Sequence, residues 1–148
     1  MSPAAALRVR SAALGDAPAL AQLSGQLGYP VSGPELADRL RAILDRHDHC
    51  VRVAERDGAI AGWIHGMAQI ALEAGSWCEI LGLVVDGRHR GAGAGRALVE
   101  EIERWARARS LHTIKVRSNV VREESHPFYV RLGFVRIKSQ HVYRKALD

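Results

Sequence analysis

Residues 84–96 (Val-Val-Asp-Gly-Arg-His-Arg-Gly-Ala-Gly-Ala-Gly-Arg) restrict what this chain can fold into more than any other stretch. The apolar, branched run over residues 80–85 reads as a buried strand. The residues beyond the glycines repeat at helical spacing: Leu98, Val99, Ile102, Trp105 and Ala106 share one side, and Glu100, Glu101, Glu103, Arg104 and Arg107 fall mostly on the other. A buried strand, a glycine-rich turn and an amphipathic helix must therefore follow one another, which requires a layered sheet-and-helix fold. Gly91, Gly93 and Gly95 leave backbone N–H groups uncovered where the helix begins. Those donors, the positive end of the helix dipole and the flanking Arg88, Arg90 and Arg96 make a seat for phosphate.

Two common phosphate loops do not fit. A Walker loop needs Lys followed by Ser or Thr at the helix start, and here Gly95 precedes Arg96 and Ala97. The dinucleotide fingerprint needs a further glycine where this chain has Arg96 or Leu98, and an acid where it reads Thr113-Ile114-Lys115-Val116. A third pattern does fit, Arg90-x-x-Gly93-x-Gly95 between strand and helix. It resembles the acetyl-CoA pyrophosphate loop of the GNAT N-acetyltransferase superfamily. The resemblance implies that Arg90, Gly91, Ala92, Gly93, Ala94, Gly95 and Arg96 hold the cofactor, with the three arginines shared between pyrophosphate, ribose 3'-phosphate and solvent.

The rest of the chain extends the likeness. Residues 7–10 alternate as a first strand, and Asp16 with Pro18 opens a helix ended by Gly28-Tyr29-Pro30. Ser32-Gly33-Pro34-Glu35 is a capping box for a second helix. Residues 50–54 and 59–67 form a hairpin about Asp57-Gly58, and a strand covers residues 77–85. After the central helix come a strand over residues 112–117, a short helix over 127–132 capped by Gly133, and a final hairpin over 134–145. This order predicts a mixed α/β (α+β) fold with no internal linker or repeat. It is also the order of the GNAT fold, a mostly antiparallel twisted sheet flanked by helices and split near its middle.

A second motif lies at the matching distance. Asn119, followed by Ser125-His126-Pro127-Phe128-Tyr129 and Gly133-Phe134, is similar to a segment of many GNAT enzymes. Carried over by position, Tyr129 is the acid that protonates the leaving CoA thiolate and Asn119 a contact of the pantetheine arm. Pro127 stands near a place the family usually gives to a small residue, which shortens or redirects the helix start. A packed tyrosine with a satisfied hydroxyl is the structural alternative.

Acetyl transfer to an amine needs a base, a donor for the thioester oxygen, an acid for the thiolate, and both substrates in line. The base candidate is Glu79, at the start of the strand leading to the loop, ahead of Glu73 and His65; an acid facing water is the alternative for Glu79. Backbone groups of Leu83, Val84 and Val85 are the expected oxyanion donor and pantetheine contacts, and Gly82 is compatible with a bulge there. Tyr29 either shapes the acceptor pocket or caps the core. Tyr29, His65 and Glu79 are thus the acceptor-side candidates.

Composition bounds the remaining readings. The 148 residues fit a single domain spanning 1–148, with 47% hydrophobic and 25% charged residues. No apolar run nears the roughly 18 residues that cross a bilayer. Residues 1–6 lack a basic start and long apolar core, so a cytoplasmic chain with reduced Cys50 and Cys78 and no membrane partner is expected. The net charge of +5 invites nucleic acid, but the arginines are dispersed and the 5% aromatic content offers no stacking platform, so none is expected. Residues 45–49 gather metal-capable groups at a helix-to-strand turn where polar residues belong anyway, and no metal is expected. Cys78 beside Glu79 would suit an acyl-cysteine route, but direct transfer is the family's habit. The resemblance therefore implies an acetyl-CoA-dependent N-acetyltransferase acting on a small primary amine, aminoglycoside-like or polyamine-like. A peptide or protein amino group, or a non-catalytic acyl-CoA sensor, are the alternatives. Homodimers are frequent in the family, though nothing in the sequence fixes an interface.

Overall fold

The computed structural model describes residues 6–89, 93–117 and 125–148, with Ser125 by its backbone only. The chain forms two units, Met1–Arg117 and Ser118–Asp148. In the first, β1 (Arg8–Ser11) leads to α1 (Ala17–Gln26) and α2 (Gly33–Leu44). Then come β2 (His49–Arg56), β3 (Ala59–Ala71), β4 (Gly75–Val85), α3 (Ala94–Ala108) and β5 (Ile114–Val116). The five strands lie in the order β1-β2-β3-β4-β5, antiparallel except for the parallel β4–β5 pair. The mixed, mostly antiparallel sheet expected from the sequence is the one observed.

Local chemistry accounts for the joints. Ser32 caps α2, its Oγ accepting from the Glu35 N–H at 3.1 Å. Asp16 stands at the N-cap of α1 but its carboxylate does not cap the helix. It accepts from Arg10 at 2.8 Å and from the Ala13 N–H at 2.8 Å instead, because a bidentate guanidinium outcompetes a helix amide. The β2–β3 hairpin turns through Asp57 at φ 54° and Gly58 at φ 75°, the left-handed pair that matches the twist of its strands.

Cross-strand partners share a face of the sheet, so the registers sort the side chains into two sets. On the first face lie Cys50, Ala54, Gly62, Ile64, Gly66, Cys78 and Ile80, against Leu98 and Ile102 of α3. Two glycines let the helix approach. A Cβ on Gly62 would stand 3.3 Å from Leu98 Cδ1 and only 2.7 Å from the Val84 carbonyl oxygen of β4, and one on Gly66 2.8 Å from Ile102 Cδ1. Ile64, Leu98, Val99 and Ile102 are fully buried there. On the second face, Val51 and Val53 join Ala12, Leu20 of α1 and Leu40 of α2 in a core cluster, with Leu36, Ile43, Ile60 and Trp63 packed around it.

The second unit holds α4 (Ser125–Arg131). Its end is a Schellman motif: Gly133 takes φ 93°, its N–H donates to Val130 O at 3.0 Å, and the Phe134 N–H donates to Tyr129 O at 3.0 Å. The expected hairpin over residues 134–145 is not formed, and residues 134–148 carry no strand. Val135, Ile137, Val142 and Tyr143 are all exposed. The connecting Lys138-Ser139-Gln140 lacks the Asn-Gly or Asp-Gly pair that closes a tight hairpin, and a two-stranded ribbon without a covered face is marginal.

Candidate active site

The second face of the sheet changes character along its strands. Beyond the apolar cluster, one row across the strands reads His49, Met67, Glu79, Lys115, with His65 diagonal to His49 and Gly82 opposite His65. Trp63 marks the join: its ring covers Gly82, where a Cβ would lie 2.9 Å from it. The Trp63 Nε1–H is buried with no partner among the described residues.

Glu79 is 7% exposed, so its charge needs support. Trp77 Nε1 donates to Glu79 Oε1 at 3.3 Å, and Arg117 Nη2 stands 3.9 Å from the same oxygen. Lys115 Nζ lies over the Trp77 ring, 4.1 Å from its centroid. A carboxylate, an indole and two cations thus share one end of the face. A carboxylate held this way can take a proton from an ammonium group, and the cations beside it favour a partner that also carries negative charge.

His65 and His49 face each other on the same side. His49 Nδ1 and His65 Nε2 are 2.8 Å apart, and the rings stack with centroids 5.1 Å apart. Burial, and next the neighbouring His49, push the His65 imidazole down to about 4. It is therefore neutral at physiological pH. Residues 45–49 do not converge as one cluster: Asp48 pairs with Arg46 at 3.1 Å, while His49 turns onto the sheet.

The strand–loop–helix unit is built as its sequence suggests. The β3–β4 register slips between His65 and Gly66, leaving Leu81 without a partner between Ile80 and Gly82. This bulge falls just before the expected Leu83, Val84 and Val85, which pair regularly with Ile64, Trp63 and Gly62. The β4–β5 pairing ends at Ile80 and Val116, so among the described residues the other edge of β4 has no strand beside it from Leu81 onward. Gly93 is the N-cap of α3 at φ 86°, where side chains are strained, and no side chain among the described residues caps the helix. Ala94 and Gly95 are buried and Arg96 is exposed. Among the described residues, a helix start without a side-chain cap and a strand edge without a neighbour leave backbone groups for a long ligand with a phosphate end, at Gly93, Ala94, Gly95 and Leu83–Val85. Arg90, Gly91, Ala92 and Asn119 lie outside the described residues.

Arg88 is engaged elsewhere. Its Nη2 donates to Asp86 Oδ2 at 2.9 Å and its backbone N–H to Asp86 Oδ1 at 3.0 Å. Gln26, at the end of α1, donates to Asp86 Oδ1 at 3.5 Å and accepts from the Gly87 N–H at 3.2 Å. The Arg88 side chain and backbone bonds hold the Asp86 carboxyl far below the usual carboxylate range. Sequence reasoning missed Gln26 and Asp86 as site residues. An Asp-Gly-Arg step directly after a strand is the signal for such a side-chain-braced turn, but its bond to α1 is visible only in three dimensions.

The remaining candidates are spread out. Tyr29 follows α1, is 62% exposed, and donates its backbone N–H to Ser24 O at 3.1 Å. Tyr129 lies in the second unit, where Phe128 and Phe134 meet its ring edge-on at 5.2 and 5.5 Å. Glu73 lies in the turn between β3 and β4. Cys78 points to the α3 face, opposite Glu79, and burial raises its thiol to about 11. It therefore carries no thiolate for an acyl-cysteine route at neutral pH.

Comparison with known proteins follows the same lines. Residues 18–134 match the acetyltransferase (GNAT) family. The chain is 34% identical over 107 residues to the aminoalkylphosphonate N-acetyltransferase of Salmonella typhimurium, covering 71% of this chain and 67% of that protein. It resembles the crystal structure of an acetyltransferase of Trypanosoma brucei at 29% identity and TM-score 0.76, covering 95% of this chain and 100% of that one. An aminoglycoside 6'-N-acetyltransferase of Acinetobacter haemolyticus shares the fold at TM-score 0.84 and 17% identity, covering 95% of this chain and 99% of that one.

Proposed function

The chain belongs to the acetyltransferase (GNAT) family, and on that footing we propose that it moves an acetyl group from acetyl-CoA to a primary amine of a small molecule by direct transfer. The observation that carries this reading is Glu79, a buried carboxylate two residues before the bulge of β4, where among the described residues no strand pairs its other edge. Acetyl-CoA supplies the acetyl group as a thioester. The chain's part is to hold and orient the two substrates and to move protons. The start of α3 takes the pyrophosphate on its uncovered amides, and the backbone of residues 83–85 lines the pantetheine. Glu79 receives the ammonium proton at its carboxylate, which makes the amine a nucleophile. Tyr129 gives its phenolic proton to the departing sulfur, with Asn119 steadying the arm.

Lys115 and Arg117 beside Glu79 favour an acceptor that carries an anionic group near its amine. The likeness to an aminoalkylphosphonate N-acetyltransferase supports the same choice. A polycationic acceptor such as an aminoglycoside or polyamine would meet like charge there. No helix among the described residues is long and apolar enough to cross a membrane.

The test is thiol release from acetyl-CoA with four acceptors: an aminoalkylphosphonate, an aminoglycoside, a polyamine and a short peptide. Turnover fastest with the aminoalkylphosphonate, and slowed in Tyr129→Phe with CoA affinity kept, is the expected result. Acetyl-CoA binding without turnover of any acceptor would favour a non-catalytic sensor; preference for the peptide would overturn the small-molecule reading.

A further inference from the structure

Two histidines stacked in a half-buried sheet face are an expensive way to fill space. Each imidazole carries one donor and one acceptor when neutral, and an apolar pair would pack the same strands without desolvating polar atoms. The His49–His65 pair is also directional. His65 stands opposite Gly82 at the β4 bulge and one diagonal step from Glu79. His49 sits at the start of β2, its ring 11% exposed, with Nε2 3.9 Å from Asp48 Oδ1, and Asp48 is 35% exposed. The pair therefore leads across β3, from the diagonal neighbour of Glu79 to the start of β2, where Asp48 meets solvent.

We propose that His65 and His49 form the proton exit of the acceptor site, carrying to solvent at Asp48 the proton that Glu79 removes from the acceptor ammonium. The proposal rests on the acetyltransferase reading above and on Glu79 as its base. The protons balance in three transfers. The ammonium gives H⁺ to the Glu79 carboxylate, leaving a neutral amine and a carboxylic acid. Glu79 returns to its anion by passing that proton, across a water at diagonal-strand distance, to His65 Nδ1. His65 in turn releases the proton on Nε2 to His49 Nδ1 over the 2.8 Å contact, and His49 sheds its Nε2 proton to water beside Asp48. Each imidazole ends with one proton on the opposite nitrogen, and a ring flip or reverse exchange resets it.

A low basicity for His65 suits this role, because a relay must give its proton up at once and stay neutral between turnovers. The groups that set the field around the pair are few. Asp48, tied to Arg46, stands at the outer end, and Glu79, Lys115 and Arg117 lie across the same face. Asp45 and Arg46 follow α2 on the outer side.

The experiment is steady-state kinetics of the full chain from pH 6 to 9, with acetyl-CoA and the primary amine that the four-acceptor panel turns over fastest. The variants are His65→Gln, His49→Gln, the double variant and His65→Ala. Proton relay predicts that His65→Gln and His49→Gln each lose about tenfold or more in kcat near pH 7. KM for acetyl-CoA stays unchanged, and the deficit shrinks toward pH 9, where a larger share of the amine arrives neutral. The double variant is no worse than either single one, and added imidazole restores part of the rate of His65→Ala. Both single variants within twofold of the parent across the pH range would overturn the relay. So would a loss that is the same at every pH with no imidazole rescue, which marks a packing role. His49→Gln, beside Asp48 at the start of β2, keeps the test available if His65 variants do not fold. Failure of the acetyltransferase reading is a different result: the parent protein itself would turn over none of the four amines.

Discussion

The two faces of this sheet are made from alternate residues of the same strands and are built to opposite ends. The α3 face is closed and mostly apolar, with Arg52 paired to Glu101 of α3 at 3.5 Å. Cys50, Ala54, Ile64, Cys78 and Ile80 are buried, and Gly62 and Gly66 give up their side chains so that Leu98 and Ile102 can sit directly on β3. The opposite face is apolar only where α1 and α2 cover it. Farther along it holds His49, His65, Glu79, Lys115 and Arg117, groups that cost free energy to bury and are held by pairing. Alternation along a strand thus lets one sheet spend one side on cohesion and keep part of the other for chemistry. Substitutions on the first face should cost stability, and those on the polar end of the second should cost rate.

Gly62→Ala is the strongest way to break that contrast. The new methyl would meet the Val84 carbonyl oxygen at 2.7 Å, a backbone atom that cannot swing aside. A loss of about 3 kcal/mol is expected, read as a melting temperature lower by roughly 10 °C. A change under about 2 °C would show that β3 has room at Gly62 that its contacts with Val84 and Leu98 deny. Glu79→Gln is the counterpart on the other face. It keeps the shape and the Trp77 contact but not the base, so kcat should fall about 100-fold while the melting temperature stays within a few degrees. An unchanged kcat would hand the deprotonation to water.

Much of this was legible in the sequence because it is local. The α3 stripe from Leu98 to Ala106, the Ser32 cap and the Asp57-Gly58 hairpin follow from spacing and backbone preference alone. So does the end of α4: Gly133 supplies the left-handed residue and Phe134 the apolar one that folds back on Tyr129. What was not legible depends on register. Gly62 and Gly66 look like weak points of a strand until α3 is seen to need the room. His49 read as part of a polar turn, although only its pairing across β2 and β3 brings it to His65. The tail shows the opposite error. Residues 134–145 alternate well enough to suggest a hairpin, but alternation gives strands only where a turn and a covering surface exist.

The Gln26 brace should give a smaller, more selective effect. Gln26→Ala removes both bonds from α1 to the Asp86–Gly87 turn, yet leaves Arg88 on Asp86. The turn that opens into the phosphate seat is then held from one side only. KM for acetyl-CoA should rise about tenfold with kcat within twofold, since a mispositioned anion seat weakens binding more than chemistry. Equal loss in both constants would place the brace in the reacting geometry instead.

The smallest expected effect separates the faces by acid titration. His65 binds its proton near 6.5 when unfolded and near 4 in the fold, where burial opposes the charge. Between those values the unfolded chain holds more protons, so stability is full above about pH 6.5 and declines as the pH falls toward 4. On the α3 face the buried thiols Cys50 and Cys78 titrate near 11 and add nothing there. Asp16, Asp48, Asp86 and Glu101 are all lowered by arginine partners, so their contributions persist above their ordinary values of 3.8 to 4.5 and are lost only below them. A melting curve should therefore drop by several degrees between pH 6.5 and 4.5, and His65→Gln should flatten that limb. If the parent is flat over this window, His65 is not held neutral by burial, and the polar end of the face is more open to water than its neighbours imply.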